Sequence, residues 1–193
     1  MFVHGYLFLS KLDCFPLTLH YICAMKIIGI LSDTHGCWDD WFARHFSGCD
    51  EIWHAGDIGS DDVAERLEKI APLRAVAGNI DGAALRRRFG TWADWTTDGV
   101  NVSMTHIGGY PGRYAAGVRF KLETKRPQIF VAGHSHILKV MYDRQLQLLY
   151  INPGAAGVYG WQAVRTLLRL TIDNGTIKDL DVIELAKPGM KNI

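Results

Sequence analysis

Apolar and polar positions follow two different patterns along the first half of the chain. Short apolar runs rich in β-branched residues predict strands at residues 26–32, 51–56 and 73–78. Amphipathic stretches between and after them predict helices near residues 39–46, over 60–70 and near 83–88. Ser60 is the predicted N-cap of the middle helix, because its hydroxyl can accept a hydrogen bond from the first turn. This β-α-β-α-β order predicts parallel strands joined by crossovers.

Strand-like segments dominate the second half of the chain. Six are predicted, at residues 99–106, 127–134, 137–143, 146–152, 163–173 and 176–185. Only residues 115–125 are predicted to form a helix between them. Residues 143–147 and the sequence DNGT at 173–176 predict hairpin turns. The two halves together predict an α/β fold in which two sheets pack against each other and helices cover the outer faces.

Metal-ligating residue types lie at the ends of five of the predicted strands, each time beside a glycine. In chain order they are Asp33 with His35, then Asp57, Asn79, His106, and His134 with His136. The carboxyl ends of parallel strands form the binding edge of an open α/β sheet, so these side chains are expected to meet there. The adjacent glycines let the backbone turn sharply and leave space next to each strand end.

This set of side chains favours divalent metal ions. Carboxylate, amide oxygen and imidazole together suit manganese, iron or zinc, whereas softer metals prefer thiolates and magnesium prefers oxygen. Seven ligands are too many for one tetrahedral ion but suffice for two ions that share a bridging carboxylate. A proton relay needs only one or two such groups. The sequence therefore predicts a two-metal site at the strand ends.

Composition excludes several other classes of protein. A chain of 193 residues predicts one domain with its own core. The 21 basic and 20 acidic residues give a net charge of +1, so no specific nucleic-acid binding is implied. The four cysteines form no C-x-x-C pair, which is typical of a reducing, cytoplasmic location. No long apolar run after Met25 predicts a membrane span, and the composition leaves the oligomeric state open.

Residues 1–24 have a composition unlike that of the rest of the chain. They are apolar and aromatic, but Lys11, Asp13 and Pro16 interrupt them, so they match a signal peptide poorly. Three alternatives are an unused upstream start before Met25, an extension packed on the domain, and a weak export signal; the first is favoured. The expected boundaries are an N-terminal extension at 1–24 and a domain at 25–193.

The order of the motifs resembles that of a known family. D-x-H, G-D, G-N, a lone His and G-H-x-H resemble the calcineurin-like metallophosphoesterases, most closely their small phosphodiesterases of the YfcE type, over residues 25 to about 185. The resemblance implies a four-layer α/β/β/α sandwich of two mixed β-sheets. It also implies that one ion is held by Asp33, His35, Asp57 and His136, and that Asp57 bridges to a second ion held by Asn79, His106 and His134. Manganese is the expected metal, with iron, zinc and nickel as alternatives.

The activity implied by this resemblance is metal-dependent hydrolysis of a small phosphodiester. A hydroxide bridging the two ions would attack phosphorus, with Asp57, Asn79 and His106 as the catalytic residues that position it and the phosphate. Two alternatives remain. One is a phosphomonoesterase, and the other is a non-catalytic scaffold like the retromer subunit Vps29, which has a related fold.

Two positions depart from the family pattern. Ile80 replaces the histidine of the common G-N-H motif, which removes a proton donor for the leaving group. Ala155 replaces the serine that usually follows N-P-G. Two further residues have open roles: His54 is either a buried strand histidine or a support for a ligand, and Asp81 either supports a ligand or caps the following helix.

Several basic residues and a loop are weaker candidates for contact with an anionic substrate. The glycine-rich loop at 106–117, Arg113 within it, and the arginine run at 86–88 could each approach a phosphate. Solvated surface arginines and an ordinary surface loop are the competing interpretations of these features.

Overall fold

The computed structural model describes residues 25–187, so the extension proposed at 1–24 and the last residues, 188–193, lie outside the described residues. The described strands are β1 (Lys26–Leu31), β2 (Glu51–His54), β3 (Leu73–Ala75), β4 (Trp92–Thr97), β5 (Val100–Thr105), β6 (Gly109–Tyr110), β7 (Arg113–Tyr114), β8 (Ile129–Ala132), β9 (Leu138–Asp143), β10 (Leu148–Pro153), β11 (Val164–Asp173) and β12 (Thr176–Ala186). The described helices are α1 (Asp40–Phe46), α2 (Asp61–Glu68), α3 (Ala83–Phe89) and α4 (Val118–Lys125). Within residues 25–187, no helix is long and apolar enough to cross a membrane.

Two five-stranded mixed sheets form the centre of the fold. The first has the order β12-β11-β1-β2-β3, in which β1, β2 and β3 are parallel, β11 runs antiparallel to β1, and the edge strand β12 runs antiparallel to β11. The second has the order β4-β5-β8-β10-β9, in which β5, β8 and β10 are parallel and the two edge strands are antiparallel. A short β6–β7 hairpin stands apart from both.

Strand alternation divides the apolar side chains among three cores. In β1, Ile28 and Ile30 point between the two sheets, and Leu31 points toward α1 and α2 on the outer face. In β8, Val131 points between the sheets while Phe130 packs under α4 on the opposite outer face. The layers are therefore helix, sheet, sheet and helix. The predicted four-layer α/β/β/α sandwich is confirmed.

The structure corrects some of the predicted elements. Ser60 is the N-cap of α2, its hydroxyl accepting a hydrogen bond from the Val63 N–H at 3.4 Å, but the helix ends at Glu68 rather than at residue 70. Strand β4 was missed, although the Asp98-Gly99 turn that joins it to β5 is a strong hairpin signal. Both residues of that turn have positive φ, 43° and 77°, which favours Asp and Gly there.

A buried carboxylate fastens the two sheets to each other. Glu51, at the start of β2, accepts hydrogen bonds from Lys26 at 3.0 Å and Arg74 at 2.8 Å on its own sheet, and from Thr97 of the other sheet at 2.9 Å. The Trp53 indole also donates to it, at 3.2 Å. Burial raises the pKa of Glu51, but these hydrogen bonds, led by that from Arg74, outweigh burial and lower the pKa to about 2.

We therefore predict that Glu51→Gln lowers the free energy of unfolding by about 2 kcal/mol at neutral pH, since it removes the negative charge that four donors share. The folded pKa lies below the unfolded value, so the stabilisation is complete above an unfolded pKa of 4.5 and is lost as the pH falls toward 2. Urea unfolding from about pH 7 to about pH 3 should show that the difference in unfolding free energy between wild type and variant becomes smaller as the pH falls. Glu184→Gln, at an exposed position of β12, is the control. A gap that stays constant down to about pH 3 would contradict the assignment.

Candidate metal centre

All seven predicted ligands lie at one edge of the sandwich, where strands of both sheets end. Three loops leave the first sheet there, after β1, β2 and β3, and two leave the second sheet, after β5 and β8. Each loop supplies one or two of the residues named from the sequence. The structure thus brings together side chains that are as far apart in the chain as Asp33 and His136.

The first cluster consists of Asp33, His35 and His136, with one ligand atom of each lying within 4.8 Å of the others. His136 Nε2 is 3.2 Å from Asp33 Oδ1 and 3.3 Å from His35 Nε2. His35 Nε2 is 3.9 Å from the same Asp33 oxygen. Asp33 is fully buried and the two histidines are partly buried, so the cluster opens to solvent on the histidine side.

The second cluster consists of Asp57, His106 and His134, whose ligand atoms also lie within 4.8 Å of one another. His106 Nε2 is 3.2 Å from Asp57 Oδ2 and 3.1 Å from Asn79 Oδ1. The rings of His106 and His134 meet edge to face, with centroids 5.2 Å apart. His134 and Asn79 are exposed, whereas Asp57 and His106 are buried.

Asp57 lies between the two clusters. Its Oδ1 accepts a hydrogen bond from the Ile80 N–H at 3.0 Å, which fixes the carboxylate. Its Oδ2 is then 3.2 Å from His106 in the second cluster and 3.8 Å from His35 in the first. Asp33 Oδ1 likewise lies within 4 Å of a histidine in each cluster, 3.2 Å from His136 and 3.9 Å from His106, so the two clusters adjoin along both carboxylates.

The backbone is strained at these residues. Five of the seven have positive φ, a conformation that few residues other than glycine adopt: Asp33 at 55°, His35 at 50°, Asp57 at 53°, His134 at 69° and His136 at 57°. Such strain persists only where the surrounding structure enforces it, and it clusters at functional sites. Here it turns the chain sharply at the strand ends, so that neighbouring side chains can point into one pocket.

The donor set fits divalent cations. Asp33 Oδ1 is buried and has no hydrogen-bond partner within residues 25–187, which is costly for a carboxylate oxygen. His106 Nδ1 lies 2.8 Å from the Ala55 carbonyl oxygen, so it carries the proton and leaves the lone pair of Nε2 facing two further acceptors, on Asp57 and Asn79. Oxygen and nitrogen acceptors that face one another in this way are satisfied by a cation between them.

The electrostatic field in the pocket also favours positive charge. The Asp33 carboxylate raises the pKa of His136 above its ordinary value. Burial lowers the pKa of His106, but the Asp57 and Asp33 carboxylates outweigh burial and raise it. Burial raises the pKa of Asp57, but the imidazolium form of His106, in which Nε2 is also protonated and donates to this carboxylate, outweighs burial and lowers the pKa. The same carboxylates that stabilise protonated imidazoles would stabilise a metal ion in their place.

Glycines make the close approach of ligands possible. A Cβ on Gly78 would overlap the Asp57 carboxylate, and one on Gly56 would lie 2.7 Å from the His106 ring. No side chain fits at either position, because both neighbours are held by other contacts. The glycines noted beside the ligands in the sequence therefore have a steric role here.

His54 supports a ligand loop from inside the fold. It is fully buried, and burial lowers its pKa to about 4, so it is neutral at physiological pH. Its Nδ1 accepts a hydrogen bond from the Gly56 N–H at 3.2 Å, so Nε2 carries the proton and donates to the Thr34 hydroxyl at 2.9 Å. Thr34 in turn donates to the Ile58 carbonyl at 2.9 Å. This chain of hydrogen bonds ties the Asp33–His35 turn to the loop after β2.

Asp81 joins two ligand loops rather than capping α3. Its carboxylate accepts hydrogen bonds from the N–H groups of Ile58, Gly59 and Gly78, at 3.1, 2.7 and 2.8 Å. The N-cap of α3 is instead Gly82, which has no side chain to cap it. The helix-cap interpretation of Asp81 is therefore wrong, and its carboxylate holds the loop that carries Asp57 against the one that carries Asn79.

Two of the predicted anion-contacting arginines already have partners. Arg86 donates to the carbonyl oxygens of Gly78, Asn79 and Asp81 at 2.7–3.0 Å, which holds the Asn79 loop. Arg88 pairs with Glu68 at 2.6 Å. The interpretation of 86–88 as a substrate-attracting run is thus wrong for these two residues. Arg113 is exposed beside the site, and residues 106–117 contain the β6–β7 hairpin.

One supporting residue was missed in the sequence. Gln162 Oε1 lies 3.3 Å from His136 Nδ1, and its amide nitrogen donates to the carbonyl oxygens of Gly157 and Tyr159 at 3.3 and 2.6 Å. The amide therefore accepts the Nδ1 proton and leaves His136 Nε2 free for the first cluster. A single glutamine in an irregular loop gives no sequence signal. Ala155, at the position where the family usually has serine, is buried.

Comparison with known proteins bears on the fold and the family. Residues 25–175 match the calcineurin-like phosphoesterase superfamily domain. A probable metallophosphoesterase of Methanothermobacter thermautotrophicus is 27% identical over 142 residues, which cover 68% of this chain and 78% of the relative.

Solved structures share the fold at lower identity. A Streptococcus pneumoniae protein described as a predicted phosphoesterase superposes with a TM-score of 0.63 at 20% identity, covering 86% of this chain and 95% of that one. Vps29 of Entamoeba histolytica, in complex with Zn²⁺, superposes with a TM-score of 0.62 at 14% identity, covering 82% of this chain and 98% of that one. These likenesses show the fold alone. The match over residues 25–175, by contrast, spans most of the chain, and the protein therefore belongs to the calcineurin-like phosphoesterase superfamily.

Proposed function

We propose that the protein is a metal-dependent phosphodiesterase with two divalent ions, manganese being the expected metal, and a small phosphodiester as its substrate. The observation that carries this proposal is the pair of adjoining ligand clusters with Asp57 between them. Membership of a phosphoesterase family and a relative named as a probable metallophosphoesterase support the hydrolase class. A cytoplasmic location is part of the proposal and rests on the cysteine pattern in the sequence.

The proposed ligand sets follow the two clusters. Asp33, His35 and His136 would hold one ion, and Asn79, His106 and His134 the other, with Asp57 shared. When bound, a pair of such ions neutralises the phosphoryl oxygens and lowers the pKa of a water from 15.7 to about 7, so that a nucleophile is present at neutral pH.

The protein's own side chains provide orientation in this scheme. Ile80 N–H fixes one oxygen of Asp57, and the Ala55 carbonyl fixes the tautomer of His106. Asn79 and His134 are exposed at the mouth of the pocket, where they can reach a phosphate oxygen as it enters. The buried network of His54, Thr34 and Asp81 keeps the loops in place before any substrate binds, which is the preorganisation that electrostatic catalysis requires.

The residue after Asn79, at position 80, offers no proton donor to the leaving group. Ile80 is 48% exposed, and its side chain can neither donate a proton nor hydrogen-bond a phosphate. Diesters with poor leaving groups should therefore be hydrolysed slowly and activated aryl esters faster. The same feature weakens the phosphomonoesterase alternative.

A non-catalytic scaffold is the competing function, and the likeness to Vps29 is the observation that favours it. Protein contacts alone give no physical reason to bury two carboxylates next to four imidazoles, since unpaired buried charge is destabilising. The two functions differ in a measurable way, because only the enzyme turns over a phosphoester.

The direct test is hydrolysis of bis(p-nitrophenyl) phosphate and p-nitrophenyl phosphate after loading with manganese, iron or zinc. We expect the diester to be hydrolysed faster than the monoester. Asp57→Asn should lower kcat by about 10²-fold or more, since it removes the shared carboxylate. Asp40→Asn, on the exposed face of α1, is the matched control and should retain activity. Metal-loaded protein that hydrolyses neither ester would favour the scaffold.

A gain-of-function substitution tests the missing acid. Ile80→His should raise kcat for alkyl esters by about 10²-fold, because a proton can then reach the departing alkoxide, and should have little effect on p-nitrophenyl esters. Ile80→Gln, which hydrogen-bonds but donates no proton in this pH range, should not show the gain. Unchanged alkyl ester rates in a folded, metal-loaded Ile80→His variant would reject this account of the leaving-group step.

A further inference from the structure

Two cavities meet at His134. One, of about 290 Å³, lies between the β6–β7 hairpin and the loop after β8, and we call it the hairpin cleft. The other, of about 650 Å³, runs past His136 and Trp161. A phosphodiester carries two organic arms on one phosphorus, and two cavities that share His134, one of the proposed metal ligands, have room for both.

The hairpin cleft has apolar walls that suit a ring. Ile107 and Ile137 flank its mouth with exposed side chains, and Tyr110 and Tyr150 present aromatic surface. The Tyr150 hydroxyl already donates to the Gly109 carbonyl at 2.7 Å, so only its ring is available to a ligand. The volume of the hairpin cleft, about 290 Å³, is at the small end of the range for ligand pockets.

Hydrogen bonds hold these walls in place. The bond from Tyr150 to Gly109 ties the start of the hairpin to the second sheet. Tyr114, at its end, donates to Asp143 at the end of β9 at 2.6 Å. The hairpin, which belongs to neither main sheet, is thus fixed at both of its strands, and the cleft is formed before a ligand enters.

Two cations line this same cleft. Arg113 is exposed on β7, and Lys139 on β9 lies with its ammonium 4.1 Å from the centre of the Tyr110 ring. Within residues 25–187, neither forms an ion pair with a carboxylate, in contrast to Lys26, Arg88 or Arg165. The cavity on the other side of His134 is lined by no lysine or arginine among the described residues. Of these two cavities, only the hairpin cleft is lined by lysine and arginine side chains of the described residues, although Lys187 donates at 2.7 Å to the carbonyl oxygen of Gly160, which lines the second cavity.

Resting on the phosphodiesterase function above, we propose that the hairpin cleft binds one arm of the substrate, and that this arm carries a planar ring and a second anionic group held by Arg113 and Lys139. The ring is proposed because the walls of the cleft are apolar, and the anionic group is proposed because the two cations have no carboxylate partner within residues 25–187. The other arm lies in the cavity beside Trp161. The substrate class is thus an asymmetric phosphodiester with a ring-bearing, anionic arm.

The test measures binding of phosphonates, which have no ester bond to hydrolyse. Isothermal titration of manganese-loaded protein should show 4-carboxyphenylphosphonate binding about tenfold more tightly than phenylphosphonate. In the double variant Arg113→Gln/Lys139→Gln, this ratio should fall to about one, since the variant has lost both cations. The control is Lys69→Gln/Arg87→Gln, which removes two exposed cations outside the cleft and should keep the ratio.

A second comparison tests the ring. Phenylphosphonate should bind more tightly than methylphosphonate, and Tyr110→Ala should reduce that advantage. Equal or undetectable binding of the two aryl phosphonates by wild type, or a ratio preserved in Arg113→Gln/Lys139→Gln, would overturn the proposal.

Hydrolysis assays separate this inference from the function on which it rests. If diesters are hydrolysed but the two aryl phosphonates bind equally well, the proposal of an anionic arm is rejected and the phosphodiesterase function is retained. If 4-carboxyphenylphosphonate binds more tightly than phenylphosphonate but no diester is hydrolysed, the cleft is supported as a binding site and the phosphodiesterase function is rejected.

Discussion

Two carboxylates, Asp33 and Asp57, are buried side by side at the ends of adjacent parallel strands. The surrounding loops and side chains are arranged so that this buried negative charge is stabilised. Burying unpaired negative charge costs several kcal/mol per ion even after relaxation. Imidazoles from three loops surround both groups, yet Asp33 Oδ1 still lacks a hydrogen-bond partner within the described chain. Protons on the histidines can offset part of this charge. Divalent cations would offset it more fully and with the geometry that the ligand atoms already have.

The sandwich supplies this arrangement because both of its sheets end at the same edge. The first sheet contributes the two carboxylates and Asn79, and the second contributes three of the four histidines. The inter-sheet core and the Glu51 network fix the two halves relative to each other, and thereby fix the distance between carboxylates and imidazoles. Strained backbone at five candidate ligands shows that stability elsewhere in the fold holds the site in shape.

The sequence was sufficient to predict the fold and to predict which residues line the candidate metal site. Period-two apolar runs predicted most strands, and residue types at strand ends predicted which side chains meet, because both depend on local rules. Contacts between distant loops were beyond such rules. Gln162 beneath His136 and Arg86 on three carbonyl oxygens have no periodicity or motif of their own, and for Asp81 the sequence left a supporting role and a helix cap as alternatives. The hairpin cleft likewise arises from segments that only the folded chain brings together.

Anomalous diffraction from crystals grown with manganese tests the two-metal centre most directly. The account predicts two peaks about 3.5–4 Å apart, one within bonding distance of Asp33, His35 and His136 and the other of Asn79, His106 and His134, with Asp57 in contact with both. A single peak, or peaks that Asp57 does not reach, would contradict it.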